Sequence, residues 1–192
     1  MSFQCYSIMS YLPVRYPANE DDWRNRRCVW NFKDGICTPF VLDGLVAAIN
    51  YITNGKDKSE YVICFIPAST KAKTKIRYGN LTTKLWRKTG VMPKLSAIEK
   101  SCDSEASHIS GKSSNPTKDF EFDTDCFKGK KVILIDDVLT TGRTFKDTAT
   151  KMMNLGALSV NGVFVAKTIN PDYTSNTINY GSVQQKSAIF AY

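Results

Sequence analysis

ILIDDVLTTGRTF, residues 133–145, decides how this chain is read. The run KKVILI (130–135) is continuous, apolar and of strand length, as in a strand buried on both faces. It ends in two adjacent carboxylates, Asp136 and Asp137, followed by small hydroxyl residues around Gly142. From Arg143 to Leu155 the apolar positions recur at helical spacing, and Gly156 supplies a stop. Two like charges at the mouth of a buried strand cost stability, and a ligand that engages them offsets that cost.

The loop says what such a ligand carries. Ligands of open α/β sheets bind at the carboxyl ends of the strands. A helix that begins there presents unpaired backbone N–H groups and the positive end of its dipole. Across Leu139, Thr140, Thr141, Gly142, Arg143 and Thr144 the chain adds three hydroxyls, and the glycine lets the backbone approach closely. Such a cradle fits one phosphate monoester. Ionised Asp136 and Asp137 only accept hydrogen bonds, so a sugar diol suits them. Phosphate plus diol describes a ribose 5-phosphate. A capped helix whose carboxylates serve no ligand is the plain alternative.

Working outward, YVICFI (61–66) is a second buried strand and SVNGVFVAK (159–167) a third. Thr38-Pro39 marks a helix start, FVLDGLVAAINYITNG continues it, and Gly55 stops it. PASTKAK leaves the strand at 66 as a loop, and a basic helix is expected from about Gly79 to Lys88. MPKLSAI (92–98) suits a short strand, and FEFD (120–123) alternates like an edge strand. Residues 101–118, rich in serine, offer no core and read as a loop. Residues 1–36 are read as an irregular N-terminal extension or hood, with Pro13 and Pro17 opposing a helix, and residues 37–192 as the main domain. Strands alternating with helices predict an α/β fold with a central parallel sheet flanked by helices.

The chain has 192 residues, 42% of them hydrophobic, which fits one compact domain. No apolar run is long enough to span a membrane, and the N-terminus lacks the basic start and apolar core of a secretory signal. Six scattered cysteines form no C-x-x-C pair, so a disulfide framework is not expected and a cytoplasmic setting is. Cys64, inside an apolar run, reads as a small hydrophobe. The net charge of +8 lies entirely in residues 71–100, where nine basic residues face only Glu99. Such a segment favours a multiply anionic partner, pyrophosphate or nucleic acid, or is simply a solvated helix face.

The stretch from Val132 to Thr144 resembles the signature of the type I phosphoribosyltransferases: an apolar strand, two acidic residues, then Thr-Thr-Gly and a Ser or Thr two places on. The resemblance implies that family's fold, a central parallel sheet with flanking helices and a small hood. It implies that Asp136 and Asp137 hold the ribose hydroxyls of phosphoribosyl pyrophosphate (PRPP) and that Leu139 to Thr144 wrap its 5-phosphate. A loop after an earlier strand grips pyrophosphate in that family, often through a cis peptide; here it would be Pro67, Ala68, Ser69, Thr70 and Lys71, with Lys73 and Arg77 nearby. Mg²⁺, bound through PRPP, would accompany the leaving group. Lys167 is similar in placement to a base-contacting lysine, or leaves its strand for solvent. The tail 170–192, with Tyr173 or Tyr180, would form a hood over the acceptor.

The order of segments over roughly 60–168 looks like the competence-F type of this family. Relatives of that type often carry an N-terminal Cys₄ zinc element; Cys5, Cys28 and Cys37 are isolated, so no metal site is expected in the protein itself. The expected function is phosphoribosyl transfer from PRPP to a nitrogen acceptor such as a nucleobase, in nucleotide metabolism. A non-catalytic PRPP-binding or nucleic-acid-handling module is the alternative. A homodimer is compatible with either.

Overall fold

The computed structural model describes residues 3–101, 117–170 and 183–185. In chain order these form β1 (Phe3–Tyr11), α1 (Glu20–Lys33), α2 (Pro39–Thr53), β2 (Tyr61–Phe65) and α3 (Lys71–Thr89). Then come β3 (Met92–Pro93), β4 (Ile98–Lys100), β5 (Phe120–Phe122), β6 (Lys131–Leu139), α4 (Arg143–Asn154), β7 (Ser159–Thr168) and β8 (Val183–Gln185). One six-stranded sheet runs in the order β3-β2-β6-β7-β1-β8, and every pairing in it is parallel. β4 and β5 form a separate antiparallel pair, so FEF is no edge of the main sheet.

The alternation of side chains on the central strands builds two cores. Tyr61, Ile63 and Phe65 of β2 and Ile133 and Ile135 of β6 face Val29 and Phe32 of α1, Val41, Leu45 and Ile49 of α2, and Tyr78, Leu81 and Leu85 of α3. Val62 and Cys64 of β2 and Val132 and Leu134 of β6 face Phe145, Ala149 and Met152 of α4, together with Ile98, Phe120 and Phe127. Helices therefore cover one face and α4 with the β4–β5 pair the other, which explains why these strands are apolar at every position. Cys64 is fully buried among hydrophobes, as expected.

Residues 1–36 correct the sequence reading. They form no irregular extension: β1 lies inside the sheet, paired to β7 from Gln4↔Asn161 to Tyr11↔Thr168. Its sequence, FQCYSIMSY, mixes polar and apolar residues, and Cys5 and Tyr6 are buried on opposite faces. The prolines do their work before α1, which opens on an Asn19–Asp22 capping box. Arg26 is buried there and donates to the carbonyls of Leu12, Pro13 and Tyr16, tying the β1–α1 connection down.

α3 is also longer than expected. It starts at Lys71, capped by the Thr70 hydroxyl, and ends at Gly90 in the left-handed region. Its apolar stripe, Tyr78, Leu81 and Leu85, is broken toward the N-terminus by lysines, which hides the first two turns from a periodicity argument. Most of 101–118 and of the tail 170–192, including Tyr173, Tyr180 and His108, lies outside the described residues, so the loop and hood expected there have no structural counterpart to report.

Candidate functional site

The site is set by where two crossovers part. β2 and β6 are neighbours, in register from Tyr61↔Lys131 to Phe65↔Ile135. The chain leaves β2 for α3 on one face of the sheet and leaves β6 for α4 on the other. Loops that diverge from adjacent parallel strands open a crevice at their carboxyl ends. The segment 66–70 follows β2 and the segment 140–142 follows β6, so both lie at the carboxyl ends of these two neighbouring strands.

β6 does not end at Ile135 as the apolar run suggested; it continues to Leu139, so both carboxylates belong to the strand. Leu139 pairs with Lys167 of β7. The backbone N–H of Asp137 donates to Oδ1 of Asp136 at 2.8 Å, and that of Val138 to Oδ1 of Asp137 at 2.6 Å. Arg77 of α3 meets Oδ2 of Asp137 at 2.8 Å, and Lys33 of α1 reaches the same oxygen at 3.8 Å. Both Arg77 and Asp137 are largely withdrawn from solvent, at 11% and 14% side-chain exposure, so solvent weakens their attraction little.

This arrangement answers how a buried strand tolerates two adjacent acids. One is paired to an arginine. The other is protonated more readily: burial first, and the Asp137 charge second, push the Asp136 carboxyl up to about 8. The Asp137 N–H, Arg77 and Lys33 oppose that shift without cancelling it.

The segment after the acidic pair leads into α4. Leu139 is buried, whereas Thr140, Thr141 and Arg143 are exposed and Gly142 and Thr144 half-buried. Gly142 is the N-cap of α4 and adopts φ +74°, a conformation that disfavours any side chain. Space is not the constraint, since a Cβ would stand 3.5 Å from Leu139 Cδ1. A glycine cap also has no side chain with which to occupy the first N–H groups of α4. The Thr141 hydroxyl accepts from the Arg143 N–H at a long 3.4 Å.

The loop after β2 is tied to α3. Its Ala68 N–H donates to the Thr74 hydroxyl at 2.9 Å, and the Tyr78 hydroxyl donates to the Ile66 carbonyl at 3.2 Å. Ala68 and Thr70 are buried, Ser69 exposed. Among the described residues no peptide bond is cis, the loop's own included. Lys71 opens α3 and pairs with Glu99 at 3.1 Å. Beside it a cleft of about 490 Å³ is lined by Pro67, Lys71, Lys75, Lys94, Glu99 and Lys100 among others, an anion-favouring flank.

Lys167 and Thr168 complete the carboxyl edge from β7, where Ser10 and Tyr11 of β1 pair with them. Lys167 is half-buried rather than freely solvated, and burial lowers its pKa. The Thr168 hydroxyl is buried without a hydrogen-bond partner among the described residues. The contact of Arg77 and Lys33 with Asp137 was not foreseen in the sequence. Arg77 sits next to Tyr78 and one turn before Leu81, beside the apolar stripe of α3, and a charge so placed must point along the sheet edge.

No family model matches the chain, and no curated protein sequence matches it. Solved structures similar in chain path include a hypoxanthine-guanine phosphoribosyltransferase from Bacillus anthracis, at 14% identity and TM-score 0.43, over 82% of this chain and 79% of that one. Another is an adenine phosphoribosyltransferase from Thermoanaerobacter pseudethanolicus, at 16% and 0.38, over 65% and 79%. A third is the adenine phosphoribosyltransferase of Saccharomyces cerevisiae, in a complex with an imino-altritol bisphosphate and adenine, at 18% and 0.39, over 68% and 70%. Likeness at this level adds nothing to the reading of the site, which rests on the chain's own residues.

Proposed function

We propose that the chain is a phosphoribosyltransferase that moves the phosphoribosyl group of PRPP onto a nitrogen acceptor, a nucleobase, in nucleotide metabolism. One observation carries the reading. The acidic pair near the end of β6 is followed by the glycine-capped N-terminus of α4, and the neighbouring strand β2 is followed by a loop and a lysine-lined cleft. A ribose 5-phosphate bearing a diphosphate has its three recognition groups in that order.

In this reading the backbone N–H groups at Thr140 to Thr144 hold the 5-phosphate through the helix dipole and hydroxyls. Asp136 and Asp137 orient the ribose through its hydroxyls. The bond from the anomeric carbon to the diphosphate breaks, positive charge grows on the ring, and the negative charge of the acidic pair favours it. Ala68, Ser69, Thr70 and Lys71 face the departing diphosphate, with Lys75 and Lys94 adding positive field. Lys167, on the carboxyl edge beyond Leu139, is the base-contacting candidate. Among the described residues no three His, Cys, Asp or Glu groups stand together as a metal cage. Mg²⁺ fits as a partner carried in on the diphosphate oxygens, where it neutralises leaving-group charge.

The rival is a module that keeps the PRPP site and handles nucleic acid, as the competence-F resemblance suggests. α3 favours it to this extent: Lys71, Lys73, Lys75, Lys84, Arg87 and Lys88 are all exposed along one helix. One experiment separates the two. Pyrophosphate release from PRPP and Mg²⁺ is followed with each common nucleobase, and binding to single- and double-stranded DNA is measured as salt is raised. Acceptor-dependent release supports the enzyme. Absence of release with every base, together with DNA affinity that falls steeply with salt, supports the module.

A further inference from the structure

The four oxygens of the acidic pair are not equivalent. Oδ1 of Asp136 accepts the Asp137 N–H, and Oδ1 of Asp137 accepts the Val138 N–H. Oδ2 of Asp137 is held by Arg77 at 2.8 Å, with Lys33 beyond at 3.8 Å. Of these four oxygens, Oδ2 of Asp136 is the one left without a hydrogen bond or ion pair among the described residues. We propose that Arg77 is a positioning residue that makes the two carboxyls unequal, holding Asp137 as its counter-ion and readying Asp136, which keeps an oxygen open to the ligand's hydroxyl. The proposal rests on the reading of this site as a PRPP site.

Stability alone is a poor reason for such an arginine. The Nε–H of Arg77 is buried with no acceptor among the described residues, and a buried donor left unspent costs free energy. A side chain kept only for structure would be better replaced by an apolar one. Its charge, in contrast, acts directly on the site. The groups that face Asp136 are Asp137 on its own strand, Arg77 and Tyr78 on α3, and Lys33 on α1. Arg77 neutralises the neighbour that most opposes ionisation of Asp136. Binding a diol calls for an ionised Asp136, since only that form accepts from both hydroxyls. Arg77 thus sets how much of the protein is ready to bind at neutral pH without touching the ligand.

Two measurements test this. The first needs no ligand: the side-chain carboxyl carbon of Asp136 is followed by NMR against pH in the free protein. Asp136 should titrate near 8 in the parent. In Arg77→Met the midpoint should move upward, and in Arg77→Lys it should return toward the parent. A midpoint that stays put in a folded Arg77→Met protein overturns the proposal.

The second is calorimetric binding of PRPP with Mg²⁺. Asp136→Asn should weaken binding about ten- to a hundredfold, the range of one charge-assisted hydrogen bond. Arg77→Met should weaken binding several-fold at about pH 7 and by less as pH is raised to about 9, where ionisation of Asp136 is recovered, and Arg77→Lys should bind close to the parent. An Arg77→Met protein that binds as tightly as the parent, or whose deficit does not change with pH, shows that Arg77 does not act through Asp136, and the proposal is wrong. If the parent does not bind PRPP at all, the functional reading fails, and the NMR titration alone decides the role of Arg77.

Discussion

Asp136 is the residue at which fold and function conflict. The folded chain holds its carboxyl at about 8 against an ordinary value of 3.8, chiefly through burial. Between those two values the folded state carries a proton that the unfolded state has released. Stability attributable to this residue is therefore present at acid pH and lost as pH rises toward 8. Asp136→Asn removes the charge that is penalised, so it should gain on the parent as pH rises. The measurement is the melting temperature of both proteins across that window. The difference should widen with pH, and a difference independent of pH would contradict the assigned burial. The same substitution weakens the proposed ligand contact, so stability and binding should move in opposite directions.

At the scale of elements, legibility followed burial. KKVILI, YVICFI and SVNGVFVAK declared themselves because strands covered on both faces have no polar alternation to blur them. Thr38-Pro39 and Gly156 announced helix ends through cap chemistry that is local. β1 stayed hidden because FQCYSIMSY lies toward the side of the sheet, where exposed positions admit Gln4 and Ser10 and a partly buried one admits Ser7. The first turns of α3 stayed hidden because their lysines face solvent and the cleft. The pairing of Arg77 with Asp137 was illegible for a different reason: residues 60 apart in the chain meet only once the sheet order is known. Gly162 gives a test of the packing between β7 and α4. A Cβ there would lie 2.8 Å from the Phe145 ring and 2.7 Å from the Phe164 ring, both buried. Gly162→Ala should cost about 1–3 kcal/mol in denaturant unfolding, whereas an unchanged midpoint would mean the aromatic pair is not packed as described.

The whole molecule places its charge unevenly. The excess of +8 falls in 71–100, which the fold turns into α3 and the lysine-lined cleft beside the β2 loop. No helix among the described residues is long and apolar enough to cross a membrane. The rest of the sequence carries no net charge, so the positive field is concentrated along α3 and at the cleft beside its N-terminus. The central claim is that PRPP binds at the carboxyl ends of β2 and β6, with its 5-phosphate on the N-terminus of α4. Gly142 is the position that tests it, because its φ of +74° is needed for the cradle and is strained for a branched side chain. α4 keeps its apolar face in Gly142→Val, so circular dichroism should show the helix content retained. The decisive measurement is calorimetric titration of PRPP with Mg²⁺ into the parent and into Gly142→Val. The account predicts a single saturable site in the parent and its loss in the variant. Equal binding by both proteins would contradict it.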